Sequence, residues 1–579
     1  MNALMERVEA AYARVAEVDR PEVWIDLRPR ADVLAEAEDV TRRLEAGEEL
    51  PLAGLLAAAK GNIDVAGLPT TAGCPAFAYS PDRDATAVAR LRAAGALVLG
   101  TTNLDQFATG LVGTRSPYGA VRHATAPERI SGGSSSGSAV AVALGIVDVA
   151  LGTDTAGSGR VPAALHGLVG IKATRGVVPA TGVVPACRSL DCVTVLARDL
   201  ATARRTLLSL AGPDGVDPLA RDLPSGWVAV RRGGGDGGPP VVAVPAPEAL
   251  GPLAPGWAEA FEEAVDRLAR SGVRVHRVDI GPLLAAARLL YEGAFVAERY
   301  AAVGEFVASH PDAVDPVVGA IISKAVAPSA HELFSDMARL DELGLAARTA
   351  LAGTDVLLLP TTTRHPTLAE VEADPVGVNS DLGRFTNFAN LLDMAALAVP
   401  AGEAGGLPFG VQLVGPAFSD GLLAGVAELL AENSEPMRPG SARPASVEQA
   451  SVRLAVVGAH LSGQPLNHQL VDRGGRLVAT TTTAPGYRLF ALDTTPAKPG
   501  LVRVAAGGAP IKAEVWELPT AGFGDFVASV PAPMTIGKVL LADNTEVPGF
   551  LCEPAALDGA RDITASGGWL THLAAGAGA

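Results

Sequence analysis

Three segments of the chain carry residue types that could build a nucleophile and a base. Lys60 follows the apolar run LLAAA at 55–59, and two loops rich in glycine and serine come later, GGSSSGS at 132–138 and GTDTAGS at 152–158. Loops of this kind that lead into a helix present N–H groups and hydroxyls, which can bind an anion or an oxyanion. A lysine in apolar surroundings can lose its proton near neutral pH and activate a hydroxyl. These residue types could therefore supply a hydroxyl nucleophile and an amine base.

The low lysine content of the chain supports a chemical role for Lys60. Only six of the 46 basic residues are lysines, so arginine supplies most of the positive charge. Arginine does not deprotonate in proteins and could not act as a base. A lysine on an apolar strand is therefore better explained by chemistry than by solubility. Without the serines, a lysine that merely ends a strand would be the default interpretation.

The first serine loop has two other interpretations. Flexible loops or a phosphate cradle stay open, although the chain has no GxxxxGK[ST] sequence and hence no Walker loop. Residues 133–137 also fit the G-x-S-x-G pattern of a nucleophile elbow, which would make Ser135 the nucleophile of an α/β-hydrolase. An elbow needs a buried strand directly before it. The preceding residues, RHATAPERIS, are polar and include a proline, which argues against this interpretation.

The two loops and the lysine segment AAAKGNIDVAGLPTTAG (57–73) together resemble the amidase signature family. Ser134 lies 74 residues after Lys60 and Ser158 lies 24 residues after Ser134, which is how that family spaces its triad. Later segments are similar too: DVLLLPTTT at 355–363, FTNFANLLDMAALAVPAG at 385–402 and LPFGVQLVGP at 407–416. The resemblance spans roughly residues 5–430. It implies an α/β fold with a mixed central β-sheet covered by helices on both faces.

The resemblance also implies a Ser–cis-Ser–Lys triad. Lys60 would be the general base, Ser134 would relay the proton after a cis peptide bond, and Ser158 would be the nucleophile that forms an acyl-enzyme. An oxyanion hole is expected from four backbone N–H groups, those of Thr155, Ala156, Gly157 and Ser158. Three residues are expected to support the loops: Gly133, Asp154 and Arg160. The family usually has Asp after the lysine, and Gly61 in this chain could change the hydrogen bonding around Lys60.

Three features resemble the allophanate hydrolases of that family: the turn AGSGR, the segments at 104–122 and 185–199, and a long C-terminal extension. This resemblance implies hydrolysis of the terminal amide of allophanate (urea-1-carboxylate), with release of ammonia and, after decarboxylation, CO2. Tyr291 and Arg299 would bind the substrate, since eight residues on a predicted helix bring two side chains to one side. Arg299 as a solvated helix charge is the alternative. Gly110 would line the pocket where a side chain would not fit.

Two other functions stay open at this point. One is a different linear-amide amidase of the same family, such as a biuret or malonamide hydrolase. The other is a non-catalytic subunit of an amidotransferase complex, which the intact Lys60, Ser134 and Ser158 disfavour.

The chain is expected to form two domains. Alternating strands and helices predict a catalytic α/β domain over residues 1–430. Residues 431–451 lose all periodicity and predict a linker. Short strands then predict a separate, smaller β-rich or α+β domain over 452–579. Two finer predictions are a helix over 138–150 and a helix that starts within 103–109.

The C-terminal domain resembles a γ-glutamyl-cyclotransferase-like fold, as appended in allophanate hydrolases, through LAVVGAHLSGQPLNHQL at 454–470. In that setting the domain is proposed to decarboxylate the first product. His468 and His460 are the polar candidates, with His468 the better match. A role in oligomer contacts or stability is equally open.

Composition limits the partners. The net charge of −17 argues against nucleic acid and against an anionic membrane surface. No stretch is long and apolar enough to predict a membrane span. No metal-binding motif is present, so neither a metal nor a cofactor is expected. Four cysteines with no CxxC pair are typical of a cytoplasmic protein. A small-molecule substrate and a homodimer are the expected partners.

Overall fold

The computed structural model describes residues 3–227, 230, 233–234, 238–432, 451–494 and 497–576. The chain divides between residues 438 and 439 into two compact units. Residues 433–450, which hold most of the linker predicted over 431–451, lie outside the described residues. Among the described residues, no helix is both long enough and apolar enough to cross a bilayer.

A mixed sheet of eleven strands forms the centre of the first unit. In chain order its strands are β1 (Trp24–Leu27), β2 (Leu56–Lys60), β3 (Leu97–Thr102), β4 (Val149–Asp154), β5 (Val169–Lys172), β6 (Cys192–Ala197), β7 (Val241–Pro245), β8 (Arg274–Val278), β9 (Val356–Pro360), β10 (Ala395–Ala404) and β11 (Leu407–Gly415). Their order across the sheet is β1-β3-β2-β4-β6-β5-β10-β11-β9-β7-β8. β2 pairs in parallel with β3 and β4, whereas the run from β4 through β6, β5 and β10 to β11 is antiparallel.

Helices accompany these strands. In chain order they are α1 (Ala3–Val18), α2 (Arg30–Glu45), α3 (Thr86–Ala93), α4 (Ser136–Ala143), α5 (Arg160–Leu165), α6 (Leu200–Leu210), α7 (Trp257–Arg270), α8 (Gly281–Glu292), α9 (Ala297–Ser309), α10 (Pro316–Lys324), α11 (Ala330–Ala350), α12 (Leu368–Ala373), α13 (Gly377–Leu382), α14 (Asn387–Leu391) and α15 (Asp420–Glu432).

The central strands bury side chains in two different hydrophobic cores. Ala57 and Ala59 of β2 pack in the core that α3, α6 and α7 cover, while Leu56 and Ala58 pack in the core that α1, α2 and α4 cover. Successive side chains of a strand point to opposite faces of the sheet, so helices cover both faces. The predicted α/β fold is confirmed.

Two local predictions were wrong. The helix predicted over 138–150 ends at Ala143, and β4 begins at Val149. Asp148 exchanges hydrogen bonds with Leu56 of β2, through its own N–H at 2.9 Å and its carboxylate at 2.8 Å, and this fixes the start of the strand. The segment 103–109 holds only a short 3₁₀ turn, because Phe107 and Ala108 have left-handed backbone angles, both with φ of 52°.

The second unit is built around a five-stranded sheet and a three-stranded sheet. Its strands are β12 (Ser451–Val456), β13 (Arg476–Thr482), β14 (Tyr487–Leu492), β15 (Lys498–Arg503), β16 (Lys512–Pro519), β17 (Met534–Leu540), β18 (Glu546–Cys552) and β19 (Arg561–Asp562), and its helices are α16 (His468–Val471), α17 (Thr520–Ala528) and α18 (Trp569–Gly576). The orders are β13-β16-β12-β18-β17 and β15-β14-β19. This confirms the expectation of a separate, strand-rich C-terminal unit.

Candidate active site

The site lies where the parallel strands β2 and β4 end. Lys60 is the last residue of β2, and Thr153 and Asp154 end β4. Carboxyl ends of parallel neighbours share one edge of a sheet, so these side chains meet. The Lys60 Nζ atom lies 2.7 Å from Ser134 Oγ and 2.8 Å from Thr153 Oγ1. The structure therefore brings the lysine and the first serine into direct contact.

Lys60 is fully buried. Burial lowers the pKa of Lys60 to about 7, even though the carboxylates of Asp105, Asp191 and Asp154 act in the opposite direction. An amine with this pKa is about half neutral at pH 7 and can accept a proton. Lys60 Nζ donates to both Ser134 Oγ and Thr153 Oγ1. A neutral amine keeps two N–H donors for these bonds and has a lone pair that can accept a proton.

Ser134 lies in the loop that precedes α4. The peptide bond between Gly133 and Ser134 is cis. Only glycine fits at position 133, because a Cβ atom there would lie 2.1 Å from Asp105 Oδ2 and 2.6 Å from the Gly113 nitrogen. The Asp105 carboxylate in turn accepts the N–H groups of Gly113 and Arg115, each at 3.0 Å. Asp105 therefore holds the segment 113–115 by backbone hydrogen bonds and occupies the space next to Gly133.

Ser158 lies in the second loop, between β4 and α5. The two loops are joined directly, since the Ser135 N–H donates to the Ser158 carbonyl at 3.2 Å. The Ser158 hydroxyl donates to the Gly110 carbonyl at 3.4 Å. Among the described residues, Ser158 Oγ has no hydrogen bond to Ser134 Oγ. The structure therefore brings Lys60 and Ser134 together, and holds Ser158 in the adjoining loop without closing the last link.

A buried ion pair fixes the second loop, as the sequence predicted. Arg160 Nε and Nη2 both donate to the Asp154 carboxylate at 2.9 Å, and both side chains are completely buried. Asp154 also accepts the N–H groups of Gly157 at 2.8 Å and Gly159 at 3.2 Å. Burial alone would raise the pKa of Asp154, but Arg160 outweighs it and the net shift is downward. Asp154 therefore stays ionised and holds the turn.

This network corrects one part of the expected oxyanion hole. The Gly157 N–H already has the Asp154 carboxylate as its acceptor, so it is not available to a substrate. In the described part of the chain, the N–H groups of Ala156 and Ser158 have no acceptor. Of the four residues predicted to form the oxyanion hole, this leaves Ala156 and Ser158, together with Thr155, which directly precedes Ala156.

Ser135, the nucleophile of the elbow interpretation, is occupied. Its hydroxyl donates to the Thr153 carbonyl at 3.2 Å and accepts the Thr153 N–H at 3.4 Å. A hydroxyl held by both backbone groups of one residue has no free direction for attack. The elbow interpretation is therefore not supported by the geometry.

The side chains of Tyr291 and Arg299 are in contact, but the two residues do not lie on one helix as predicted. They lie on two helices, because α8 ends at Glu292 and α9 begins at Ala297. Gly293 and Asp336 lie where the two helices separate. A Cβ atom at Gly293 would lie 2.7 Å from Asp336 Oδ2. The same oxygen accepts the Ala294 N–H at 2.6 Å. The prediction of one continuous helix over 291–299 was wrong, although the two side chains still come together.

Arg299 is almost completely buried, with 1% of its surface exposed. Its guanidinium donates to Thr109 Oγ1 and to Tyr291 Oη, both at 2.9 Å, and Nε has no partner. No carboxylate of the described residues forms an ion pair with it. A buried guanidinium without an anion is costly, and an anionic ligand would relieve that cost. The alternative of a solvated helix charge is excluded by the burial.

Two glycines near the site have neighbours close to where a side chain would begin. A Cβ at Gly110 would lie 2.6 Å from Asp105 Oδ2, so the restriction comes from Asp105 rather than from an open pocket. A Cβ at Gly61 would lie 2.4 Å from Ile25 Cδ1. The Gly61 N–H donates to the Thr102 carbonyl at 2.9 Å, so the residue that replaces the family's Asp is held by backbone pairing.

The two histidines of the C-terminal unit differ in their surroundings. His460 is buried, stacks on Phe550 with ring centroids 4.8 Å apart, and lines a cavity of about 240 Å³ together with Lys498 and Gln469. His468 is exposed and is not among the residues that line the cavity. The geometry thus favours His460 over His468, the reverse of the order expected from the sequence.

Sequence reasoning missed three polar residues of the site: Thr153, Asp105 and Asp191. Thr153 belongs to β4, which was predicted as helix up to residue 150. Asp105 and Asp191 are both buried and accept backbone N–H groups from neighbouring loops. Nothing in the sequence around either residue indicated these contacts.

Comparisons with known proteins agree with this fold. Residues 6–424 match the family model described as Amidase, and residues 452–574 match the model described as Allophanate hydrolase C-terminal domain. The urea amidolyase of Saccharomyces cerevisiae is 43% identical over 96% of this chain and 31% of its own length. The urea amidolyase of Lachancea kluyveri is also 43% identical, over 95% of this chain and 31% of its own length. The chain therefore spans about a third of the length of these two relatives.

Solved structures give the same result. The allophanate hydrolase of Kluyveromyces lactis has a TM-score of 0.71 and 40% identity, and the match covers 99% of this chain and 97% of that one. The chain belongs to the amidase family, a class of enzymes that hydrolyse the C–N bonds of amides. Within that family it is similar to the allophanate hydrolase of Kluyveromyces lactis and to the two urea amidolyases.

Proposed function

We propose that this protein hydrolyses the terminal amide of allophanate through an acyl-enzyme on Ser158. The observation that carries the proposal is the pairing of two features in one unit. A buried lysine with its pKa near 7 contacts Ser134, and the buried Arg299 forms no ion pair with a carboxylate of the described residues. The first feature suits amide hydrolysis, and the second suits a substrate that brings a carboxylate.

In the proposed reaction the Ser158 hydroxyl turns from the Gly110 carbonyl towards Ser134. As Ser158 Oγ attacks the carbonyl carbon, its proton passes through Ser134 to Lys60 Nζ. The negative charge that develops on the carbonyl oxygen is stabilised by the free amides of Ala156 and Ser158. The C–N bond then breaks, and the proton returns to the leaving nitrogen, which departs as ammonia.

Deacylation reverses these roles. Water attacks the acyl group on Ser158, gives its proton to Lys60 through Ser134, and restores the Ser158 hydroxyl. N-carboxycarbamate is the product, and its decarboxylation gives CO2. For that later step we propose His460 as the candidate residue of the C-terminal unit, because His460 lines the cavity there. The alternative is a structural role in oligomer contacts or stability.

A substrate panel tests the proposed function. Ammonia release is measured side by side from allophanate, biuret, malonamide and urea. We expect allophanate to have the highest kcat/KM, because it alone combines a terminal amide with a carboxylate for Arg299. Equal or higher kcat/KM for biuret or malonamide would favour another linear-amide amidase, and no turnover of any amide would favour the non-catalytic subunit.

The pH dependence tests the proposed base. Lys60 must be neutral to accept a proton, and its pKa is lowered to about 7 by burial. Below that pH the neutral fraction falls, so kcat/KM should decrease tenfold for each unit of pH. Above it, kcat/KM should level off. Tryptophan fluorescence recorded over the same range controls for unfolding. A flat profile between pH 5 and pH 8 in folded enzyme would contradict the role of Lys60.

A further inference from the structure

Asp191 is a buried carboxylate that the proposed reaction does not use. It directly precedes β6, and 8% of its surface is exposed. Its Oδ1 atom accepts the Thr155 hydroxyl and the Cys187 N–H, the latter at 3.3 Å. Its Oδ2 atom accepts the Ala186 N–H at 2.8 Å. One side chain therefore ties the loop at 185–188 to the loop that carries Ser158.

The bond to Thr155 reaches the first residue of the nucleophile loop, directly after β4. Thr155 lies between Asp154, which Arg160 holds, and Ala156, whose free N–H is a candidate oxyanion donor. The Arg160 side chain donates to Asp154, Gln412, Thr386 and Asn390 and not to Thr155. Asp191 is thus a second and separate anchor of this loop.

We propose that Asp191 is a positioning residue for amide hydrolysis, one that holds the Thr155–Ser158 loop in its catalytic geometry and adds negative charge beside Lys60. The inference rests on the proposed function. Donors in an oxyanion hole work only when they are held in place before the reaction. A shift of about 1 Å in such a group can cost roughly 100-fold in rate.

The charges around the two groups define the electrostatic part of the inference. Three carboxylates face Lys60, from Asp105, Asp191 and Asp154, and the opposing cation is Arg299. Asp191 also faces Arg299, and it borders a cleft with three further charged residues, Arg175, Arg188 and Asp217. Burial raises the pKa of Asp191 to about 6, so this carboxylate is ionised at neutral pH and favours the charged form of Lys60.

Asp191→Asn and Thr155→Val separate the two effects. Asp191→Asn removes the charge and the acceptor for Ala186, so we expect kcat for allophanate to fall at least about tenfold with little change in KM. The rise of kcat/KM with pH should also move to lower pH, by roughly half a unit, because the neutral form of Lys60 is then favoured. Thr155→Val breaks the anchor but keeps the charge. It should lower kcat similarly, and its pH profile should move less than that of Asp191→Asn.

Asp420→Asn is the matched control. Asp420 is half-buried and likewise accepts a backbone N–H and a hydroxyl, both from Thr174, but Lys60 is not among the charges that act on it. We expect its kcat and pH profile to match those of the unmodified enzyme. The inference is overturned if Thr155→Val keeps full kcat, or if folded Asp191→Asn keeps full kcat or an unshifted pH profile. Failure of the unmodified enzyme to hydrolyse any amide would instead overturn the proposed function.

Discussion

Lys60→Met is expected to abolish ammonia release from allophanate. Methionine keeps the length and the apolar contacts of the side chain but cannot accept a proton. With no base to take its proton, Ser158 is a weak nucleophile, and removal of one member of such a catalytic unit lowers kcat by about 10⁴-fold or more. Steady-state ammonia release, with folding checked by circular dichroism, measures the effect.

Lys172→Met is the matched control for this prediction. Lys172 is also buried, with 1% of its surface exposed, and it belongs to the same sheet on β5. Its Nζ atom donates to the Met394 carbonyl at 2.6 Å, so its role is structural. We expect Lys172→Met to lower stability while kcat stays within a few-fold. If folded Lys60→Met turned over allophanate as fast as folded Lys172→Met does, Lys60 would not be the base.

Arg299→Met is expected to raise the KM for allophanate by about 100-fold or more. Removing one partner of a buried charge pair costs roughly 2–5 kcal/mol, because the other charge is left unpaired. Turnover of malonamide, which is uncharged, should change far less. The comparison of kcat and KM for the two substrates therefore isolates the contribution of the substrate carboxylate.

Arg267→Met controls for the loss of an arginine elsewhere in the unit. Arg267 is partly buried on α7 and donates to the Ala401 carbonyl at 2.6 Å, away from the candidate site. It should leave the KM for both substrates unchanged. Equal increases in KM for allophanate and malonamide in Arg299→Met would show that Arg299 does not select a carboxylate.

The sequence was sufficient for the fold class and for most strands. Apolar runs such as VLLLP at 356–360 end at residues that cannot continue the strand, and they appear as β-strands in the structure. It was not sufficient at the run 138–150, which is mostly apolar, so that no period separates helix from strand. The strand there begins because Asp148 pairs with Leu56, a contact between residues 92 positions apart.

The candidate site was also predictable only in part, because some of its contacts join residues that are far apart in the sequence. Lys60, Ser134 and Ser158 stand out because their types and spacing are unusual, and Arg299 because of its neighbour Tyr291. The supporting carboxylates did not stand out, since Asp105 and Asp191 act on residues that only the fold brings near them. The N–H of Gly157 was assigned to a substrate because the sequence does not reveal that Asp154 reaches it first.

The predicted triad roles and the predicted homodimer stay predictions, and the first of these can be tested directly. Enzyme mixed with allophanate, quenched in acid within one turnover and digested should carry an acyl adduct on the peptide that contains Ser158, as detected by mass spectrometry. Ser158→Ala should carry none. An adduct located on Ser135, or turnover without any adduct on the enzyme, would contradict the account.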